Sequence, residues 1–173
     1  MEEATHFTIR TVQIKDISFL WDMLYEAAAV AESMHALGRE KVLSLPMNRR
    51  YVEGWVRLGD AGVIAVDQTK RPLGAAWYRL YPDEAPGYGF VSPTIPEIAI
   101  GVRDDARGQG IGNALLQALI ALAQSQGYTA LSLSVDRNNP ALRLYERCGF
   151  RDAGLKEPAT PSVTMIKSMD SHS

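Results

Sequence analysis

Residues 106–115 read ARGQGIGNAL, three glycines at alternate positions followed by a run of good helix formers. The segment before it, 97–102 (EIAIGV), is short and apolar and follows Pro96, which predicts a strand. After the glycines, Ile111, Ala114, Leu115, Ala118, Leu119, Leu122 and Ala123 recur at the spacing of one helix face that ends near Gly127. A glycine connection from strand into helix leaves unpaired N–H groups and the positive end of the helix dipole at the turn, where an anion can sit. The same glycines would equally serve a tight turn with no ligand.

Downstream, Leu131, Leu133 and Val135 alternate with Ser132, Ser134 and Asp136, a strand with two unlike faces. Strands over 97–102 and 130–136 joined by one helix make a βαβ crossover, so they are expected to lie parallel in a mixed sheet. A short helix is predicted from about 140 to 148, with Gly149 as its stop, and a last strand over 163–167. Upstream, 6–12 (HFTIRTV) reads as a strand, and Asp16 is placed to cap a helix carrying Ile17, Leu20, Trp21, Leu24, Tyr25, Ala28 and Ala31 on one face. A less regular helical stretch falls between 39 and 58, interrupted or started by Pro46. Residues 62–67 and 73–80 read as a hairpin, and 82–96, rich in Pro and Gly, as an irregular loop. The expected class is α/β with α+β character: a single domain over 1–173, its twisted mixed sheet of about six or seven strands flanked by about four helices.

The 173 residues are 46% hydrophobic and 22% charged, an ordinary globular composition. A net charge of -2 argues against a nucleic-acid partner, since phosphate-tracking surfaces are strongly basic. The most apolar run, 114–123, falls well short of the roughly 20 residues that span a bilayer, so no membrane segment is expected. Cys148 is the single cysteine, which excludes an internal disulfide and a Cys-rich zinc site and fits a reducing, cytoplasmic setting; no metal site is expected.

Three phosphate-binding patterns compete for the glycines. A P-loop needs Gly-Lys-Ser/Thr, whereas Gly112 is followed by Asn113; a dinucleotide fingerprint needs a different glycine spacing near a first strand. What remains is Arg/Gln-x-x-Gly-x-Gly/Ala, met by Arg107, Gly110 and Gly112. In its context this stretch resembles the pyrophosphate-binding motif of the GNAT superfamily of N-acetyltransferases. A second segment strengthens the resemblance: in 138–150 (NNPALRLYERCGF), residues Asn138, Ala141, Leu144, Tyr145, Glu146, Gly149 and Phe150 match the family's Asn-x-x-Ala-x-x-Leu-Tyr-Glu-x-x-Gly-Phe in register. The close match covers about residues 97–150.

The resemblance implies that acetyl-CoA is the cosubstrate. Its pyrophosphate would be held by backbone around Arg107, Gly108, Gln109, Gly110, Ile111 and Gly112, and its pantetheine would pair with Ile100, Gly101 and Val102 where two parallel strands splay apart. A backbone N–H within 98–100 would polarise the thioester carbonyl. Asn138 would contact the cofactor or shape the strand–helix junction, or simply cap the turn before Pro140. Tyr145 is implied as the proton donor to the departing thiolate, against the plain alternative that it packs on one helix face with Ala141 and Cys148. Glu97 lies where the family often carries a catalytic carboxylate. It would act through water or with a pKa raised by burial, or else be a solvated strand end after Pro96.

The acceptor implied is a primary amine on a small molecule, with a protein N-terminus or lysine as the alternative. Tyr88, Gly89 and Phe90 are placed to form an aromatic lid, and Tyr25, His35 and Trp77 are candidates to line the cleft. Two rivals stand beside the enzyme: a module that senses acyl-CoA without turning it over, and a nucleotide-binding domain preferring ATP or NAD. Members of the family often form homodimers, but the sequence identifies no interface.

Overall fold

The first four strands pair antiparallel in chain order, across a long helical connection (12–60), a tight turn (68–71) and a loop (80–96): β1 (Phe7–Thr11), β2 (Ala61–Asp67), β3 (Pro72–Arg79) and β4 (Glu97–Val102). The turn between β2 and β3 is built by Asp67, whose Oδ1 accepts from the backbone N–H groups of Thr69 (2.8 Å) and Arg71 (2.9 Å). The chain then crosses over through α5 (Ile111–Ser125) to β5 (Ala130–Asp136), which lies parallel to β4. After α6 (Ala141–Arg147), β6 (Arg151–Asp152) and β7 (Ser162–Ser168) complete a seven-stranded sheet in the order β1-β2-β3-β4-β5-β7-β6. This computed structural model describes residues 6–29, 32–155 and 161–169.

Strands β2 and β3 are apolar almost throughout because helices cover both faces of the sheet. On one face, Ile111, Leu115, Leu116 and Leu119 of α5 pack on Val63, Ala65, Ala76, Tyr78, Leu131 and Leu133. On the other, α1 (Ile17–Ala28) sets Phe19, Leu20, Met23 and Leu24 against Ile64, Val66, Ala75 and Trp77. Gly101 permits this second packing at close range: a Cβ there would stand 2.4 Å from the carbonyl oxygen of Met23. Asp16 precedes α1 without capping it. Its carboxylate instead holds Arg10 (2.7 and 2.9 Å) and the N–H of Gln13 (2.7 Å).

The helical stretch expected over 39–58 is broken. After α2 (Glu32–His35) come α3 (Arg39–Ser44) and α4 (Pro46–Arg49), with Leu45 extended between them at φ -64 and ψ 127. Proline disfavours the helical region for the residue before it and is well placed as a first helical residue, so Pro46 ends one helix and starts another. Residues 50–60 then run in turns to β2. The two-residue β6 was not expected, and β7 is two residues longer than the sequence pattern implied. Among the described residues, no helix is long and apolar enough to cross a membrane.

Candidate active site

Strands β4 and β5 pair at one position only, Glu97 with Ser132, where the Ser132 N–H donates to the carbonyl of Pro96 (3.0 Å). Beyond it they diverge, and a cleft of about 830 Å³ opens between residues 98–102 and 133–136. The edge of β4 that would have met β5 is thus left to a ligand, as an added strand would use it.

At one end of this cleft lies the glycine turn. Gly110 adopts the left-handed conformation (φ 80, ψ 6) immediately before α5, and no side chain caps that helix. Its first-turn N–H groups are therefore offered to whatever sits there, a suitable seat for a phosphate. A Cβ on Gly108 or Gly110 would meet nothing within 4 Å, so the turn is open rather than packed. Arg107 reaches across the mouth to Glu26 of α1 (2.7 Å) and back to Asp104 (3.3 Å). With its charge answered by two carboxylates, backbone amides rather than this guanidinium offer the anion its partners. The residues present therefore fit the pyrophosphate of coenzyme A.

Ile100, Gly101, Val102, Arg107, Gly108, Gly110, Ile111 and Gly112 all line the cleft. Gln109 is exposed and is not among the lining residues, and Asn138 is exposed with its N–H on Asp136 Oδ1 (2.8 Å). Asn139, the next residue, is the one on the wall, and its Oδ1 accepts from the Ala141 N–H (2.9 Å) at the start of α6. The junction role expected of Asn138 thus falls, by geometry, to its neighbour.

Tyr145 lines the middle of the cleft from α6, its ring set edge-on to Phe150 with centroids 6.0 Å apart. Burial pushes its phenol well above the ordinary value, so it stays protonated. Cys148, one turn on, is buried beside Gln117 and Asn113.

At the other end, Glu97 is 2% exposed. Its Oε1 accepts the Gly89 N–H (2.8 Å), and Oε2 accepts the hydroxyl of Tyr51. Burial pushes its pKa up to about 8, with the Gly89 N–H and the Arg50 guanidinium pulling the other way. The carboxylate is covered by the loop over 82–96. A Cβ on Gly87 would lie 2.6 Å from Oε1, and one on Gly89 would lie 2.4 Å from the backbone of Leu133. Of the two environments expected for Glu97, the buried one is found.

Tyr51 and Tyr88 line this end, their rings stacked at 6.2 Å and 16°. Phe90 packs into the core beneath α1. Trp77 is fully buried and donates its indole N–H to the Tyr51 carbonyl (2.9 Å), so it supports the wall without forming it. Tyr25 and His35 are not on the wall; the Tyr25 ring carries the Arg39 guanidinium at 5.8 Å. Tyr51 was not singled out from the sequence, and no local pattern marks it.

Residues 21–150 match the model of the Acetyltransferase (GNAT) family. The chain belongs to this family. It is 33% identical over 120 residues to the L-methionine sulfoximine/L-methionine sulfone acetyltransferase of Pseudomonas paraeruginosa, covering 69% of this chain and 67% of that protein. It is 39% identical over 104 residues to the mycothiol acetyltransferase of Arthrobacter sp. (strain FB24), covering 58% of this chain and only 30% of that longer protein. Among solved structures, an N-acetyltransferase from Staphylococcus aureus Mu50 superposes with a TM-score of 0.70 at 19% identity, covering 96% of this chain and 100% of the other. A GNAT superfamily phosphinothricin acetyltransferase from Sinorhizobium meliloti in complex with AcCoA gives 0.62 at 18%, covering 94% and 88%. At such identities these structures establish the GNAT fold.

Proposed function

We propose that this chain is an acetyl-CoA-dependent N-acetyltransferase that moves the acetyl group directly onto a primary amine of a small molecule. One observation carries this reading: a single cleft runs from an uncapped helix N-terminus suited to phosphate, past Tyr145, to Tyr51, whose hydroxyl bonds the buried carboxylate of Glu97 behind the wall. Bound acetyl-CoA would supply an activated thioester carbonyl and a thiolate leaving group. Backbone N–H groups of residues 108–112 would hold the pyrophosphate, and the open edge of β4 would pair with the pantetheine amides. An N–H of β4 within 98–100 would face the carbonyl oxygen as charge develops there.

Tyr145 holds its proton through the working pH range. A phenol near 10 giving its proton to a thiolate near 8.5 is already uphill by about 2 kcal/mol, and burial steepens the step. Tyr145 therefore acts by hydrogen bonding to the leaving sulfur as charge accumulates. The attacking amine must be neutral: at pH 7 that costs about 4.6 kcal/mol for a lysine-like amine and about 1 for an α-amine. Once ionised, above about pH 8, the Glu97 carboxylate is a stronger base than an ordinary glutamate.

A small acceptor is supported by the roof. Gly89 sits hard on the β5 backbone and the stacked rings of Tyr51 and Tyr88 close that end, which makes a recess rather than an open groove for a peptide. The relative named for L-methionine sulfone points the same way. A cytoplasmic setting belongs to this reading, supported by the lone, buried Cys148.

The test is thermal unfolding with acetyl-CoA, CoA, ATP and NAD in parallel, followed by thiol release with L-methionine sulfone, 2-phenylethylamine and a short peptide with a free N-terminus. Ligand at 100 times its Kd adds about 2.7 kcal/mol, which raises the midpoint by roughly 5–11 °C. Stabilisation by CoA and acetyl-CoA with acetylation of a small amine supports the proposal. Stabilisation by ATP or NAD alone overturns it, binding without turnover of any amine favours a sensing module, and turnover of the peptide alone moves the acceptor to proteins.

A further inference from the structure

We propose that Tyr51 is the proton carrier of this site: its phenolic oxygen takes a proton from the acceptor amine while its own hydroxyl proton passes to Glu97. The inference rests on the acetyl-transfer reading and names the route by which its proton leaves.

Glu97 does not line the cleft, and its carboxylate is sealed from it by protein. Gly87 and Gly89 lie against one side so closely that even a methyl group would overlap the carboxylate or the β5 backbone. On the cleft side Glu97 is bonded by the Tyr51 phenol, and Tyr51 lines the cleft where an acceptor would sit. Its hydrogen bonds fix the direction of transfer. A phenol has one hydrogen to give, and once Glu97 is ionised, above about pH 8, it goes to Oε2. The oxygen meanwhile accepts the Tyr88 N–H (2.9 Å), leaving remaining acceptor capacity for a donor from the cleft.

The phenol is also held in place. Trp77 donates to the Tyr51 carbonyl (2.9 Å), Arg79 Nη1 donates to the carbonyl of Arg50 (2.9 Å), and the ring sits edge-on to Tyr81 at 5.7 Å. A fixed carrier between two fixed neighbours avoids the cost of ordering a water chain at each turnover.

As the amine nitrogen bonds to the acyl carbon, one N–H bond breaks and an O–H bond forms on Tyr51. The former Tyr51 O–H breaks and an O–H forms on Glu97 Oε2, so one proton moves from nitrogen to carboxylate and Tyr51 ends neutral. After product leaves, the same pair runs in reverse and returns the proton to solvent. The charged and titratable groups around Glu97 are Tyr51 and Arg50 from the segment after α4, Tyr88 from the roof, and Arg79, its register partner on β3, whose charge is answered by Asp60.

The experiment compares kcat/KM against pH for the full chain, Tyr51→Phe, Glu97→Gln and the double variant, with acetyl-CoA and 2-phenylethylamine. The amine titrates near 10, above the limb set by Glu97. Each single change is expected to lower kcat/KM by about 10²-fold and to remove the limb near pH 8, leaving only the rise that belongs to the amine, and the double to be no worse than the worse single. The acetyl-CoA thermal shift should persist in all three. Tyr51→Phe retaining the wild-type limb, or losses that multiply in the double, would show that Tyr51 only packs. For the unaltered protein, kcat against the D2O fraction should bow downward, as two moving protons require; a straight line overturns the relay whatever the variants do. No wild-type turnover with any amine of the panel removes acetyl transfer itself, and the relay with it.

Discussion

Asp60 and Arg79 form an ion pair shielded from water, with Nε 2.9 Å from Oδ1 and side chains 2% and 1% exposed. A second contact joins Nη2 to Oδ2 (3.1 Å), and Nη1 donates to the carbonyls of Arg50 (2.9 Å) and Glu53 (2.7 Å). Oδ2 of Asp60 also takes the N–H groups of Val56 (3.1 Å) and Arg57 (2.8 Å), which holds Val56 at φ 94, a conformation a β-branched residue rarely adopts. One buried pair thus ties the segment over 50–60, which carries Tyr51, to β3.

Removing one partner should therefore cost more than the contact is worth, because the other charge stays buried and unpaired. Asp60→Ala is expected to lower stability by about 3–5 kcal/mol in urea unfolding. The acceptor KM should rise as well, since Tyr51 loses the frame behind it. A loss below about 1 kcal/mol would mean that water reaches the guanidinium and that the pair organises nothing.

Glu97 gives stability a pH dependence of defined sign. Folded, it protonates near pH 8; unfolded, near its ordinary 4.5. Between these values the folded protein keeps a proton that the unfolded chain has released. Its stabilising contribution is complete below about pH 4.5 and is lost as pH rises through 8, a span on the order of a few kcal/mol. Glu97→Gln should flatten this slope. Urea unfolding from pH 5 to 9 for both proteins checks it, and parallel curves would mean that Glu97 ionises as an ordinary carboxyl.

The cofactor half of this site was readable because its parts are contiguous: strand, glycine turn and helix follow one another over 97–125, and local period and turn chemistry suffice to place them. The acceptor half was not. Tyr51 and Glu97 lie 46 residues apart, and Tyr51 stands in a segment whose composition suits a helix until Pro46 divides it. The burial of Glu97 comes from Gly87 and Gly89 folding over it, a tertiary event that no periodicity records. Between adjacent asparagines, the family register pointed to Asn138, while the side chain that bonds the N–H of Ala141 is that of Asn139. A two-residue strand such as β6 is too short to show any period.

If the glycine turn is a cradle, straining it should harm binding more than folding. Gly110→Ala has room for its Cβ, so its cost is the left-handed backbone, about 1–2 kcal/mol. Losing one N–H to phosphate contact at about 1.5 kcal/mol or more weakens acetyl-CoA binding by about tenfold. Gly154→Ala carries the same strain (φ 72, nothing within 4 Å) away from the cleft and serves as the control. Calorimetric Kd values should separate the two variants, and equal affinities would leave the turn with no part in binding.

Tyr145→Phe separates chemistry from packing in the middle of the cleft. The ring remains to meet Phe150, so stability should stay within about 1 kcal/mol of the parent. Only the hydroxyl is lost, and the proposed mechanism uses that group when the sulfur leaves, not when acetyl-CoA binds. Turnover is therefore expected to fall about 10²-fold with acetyl-CoA affinity unchanged. Because burial holds the phenol above its ordinary pKa, no alkaline limb in the rate profile should belong to it below about pH 10. Thiol-release rates beside calorimetric Kd values decide the matter: unchanged turnover would return Tyr145 to the core, and a parallel loss of affinity would mean that its hydroxyl holds the cosubstrate rather than the leaving group.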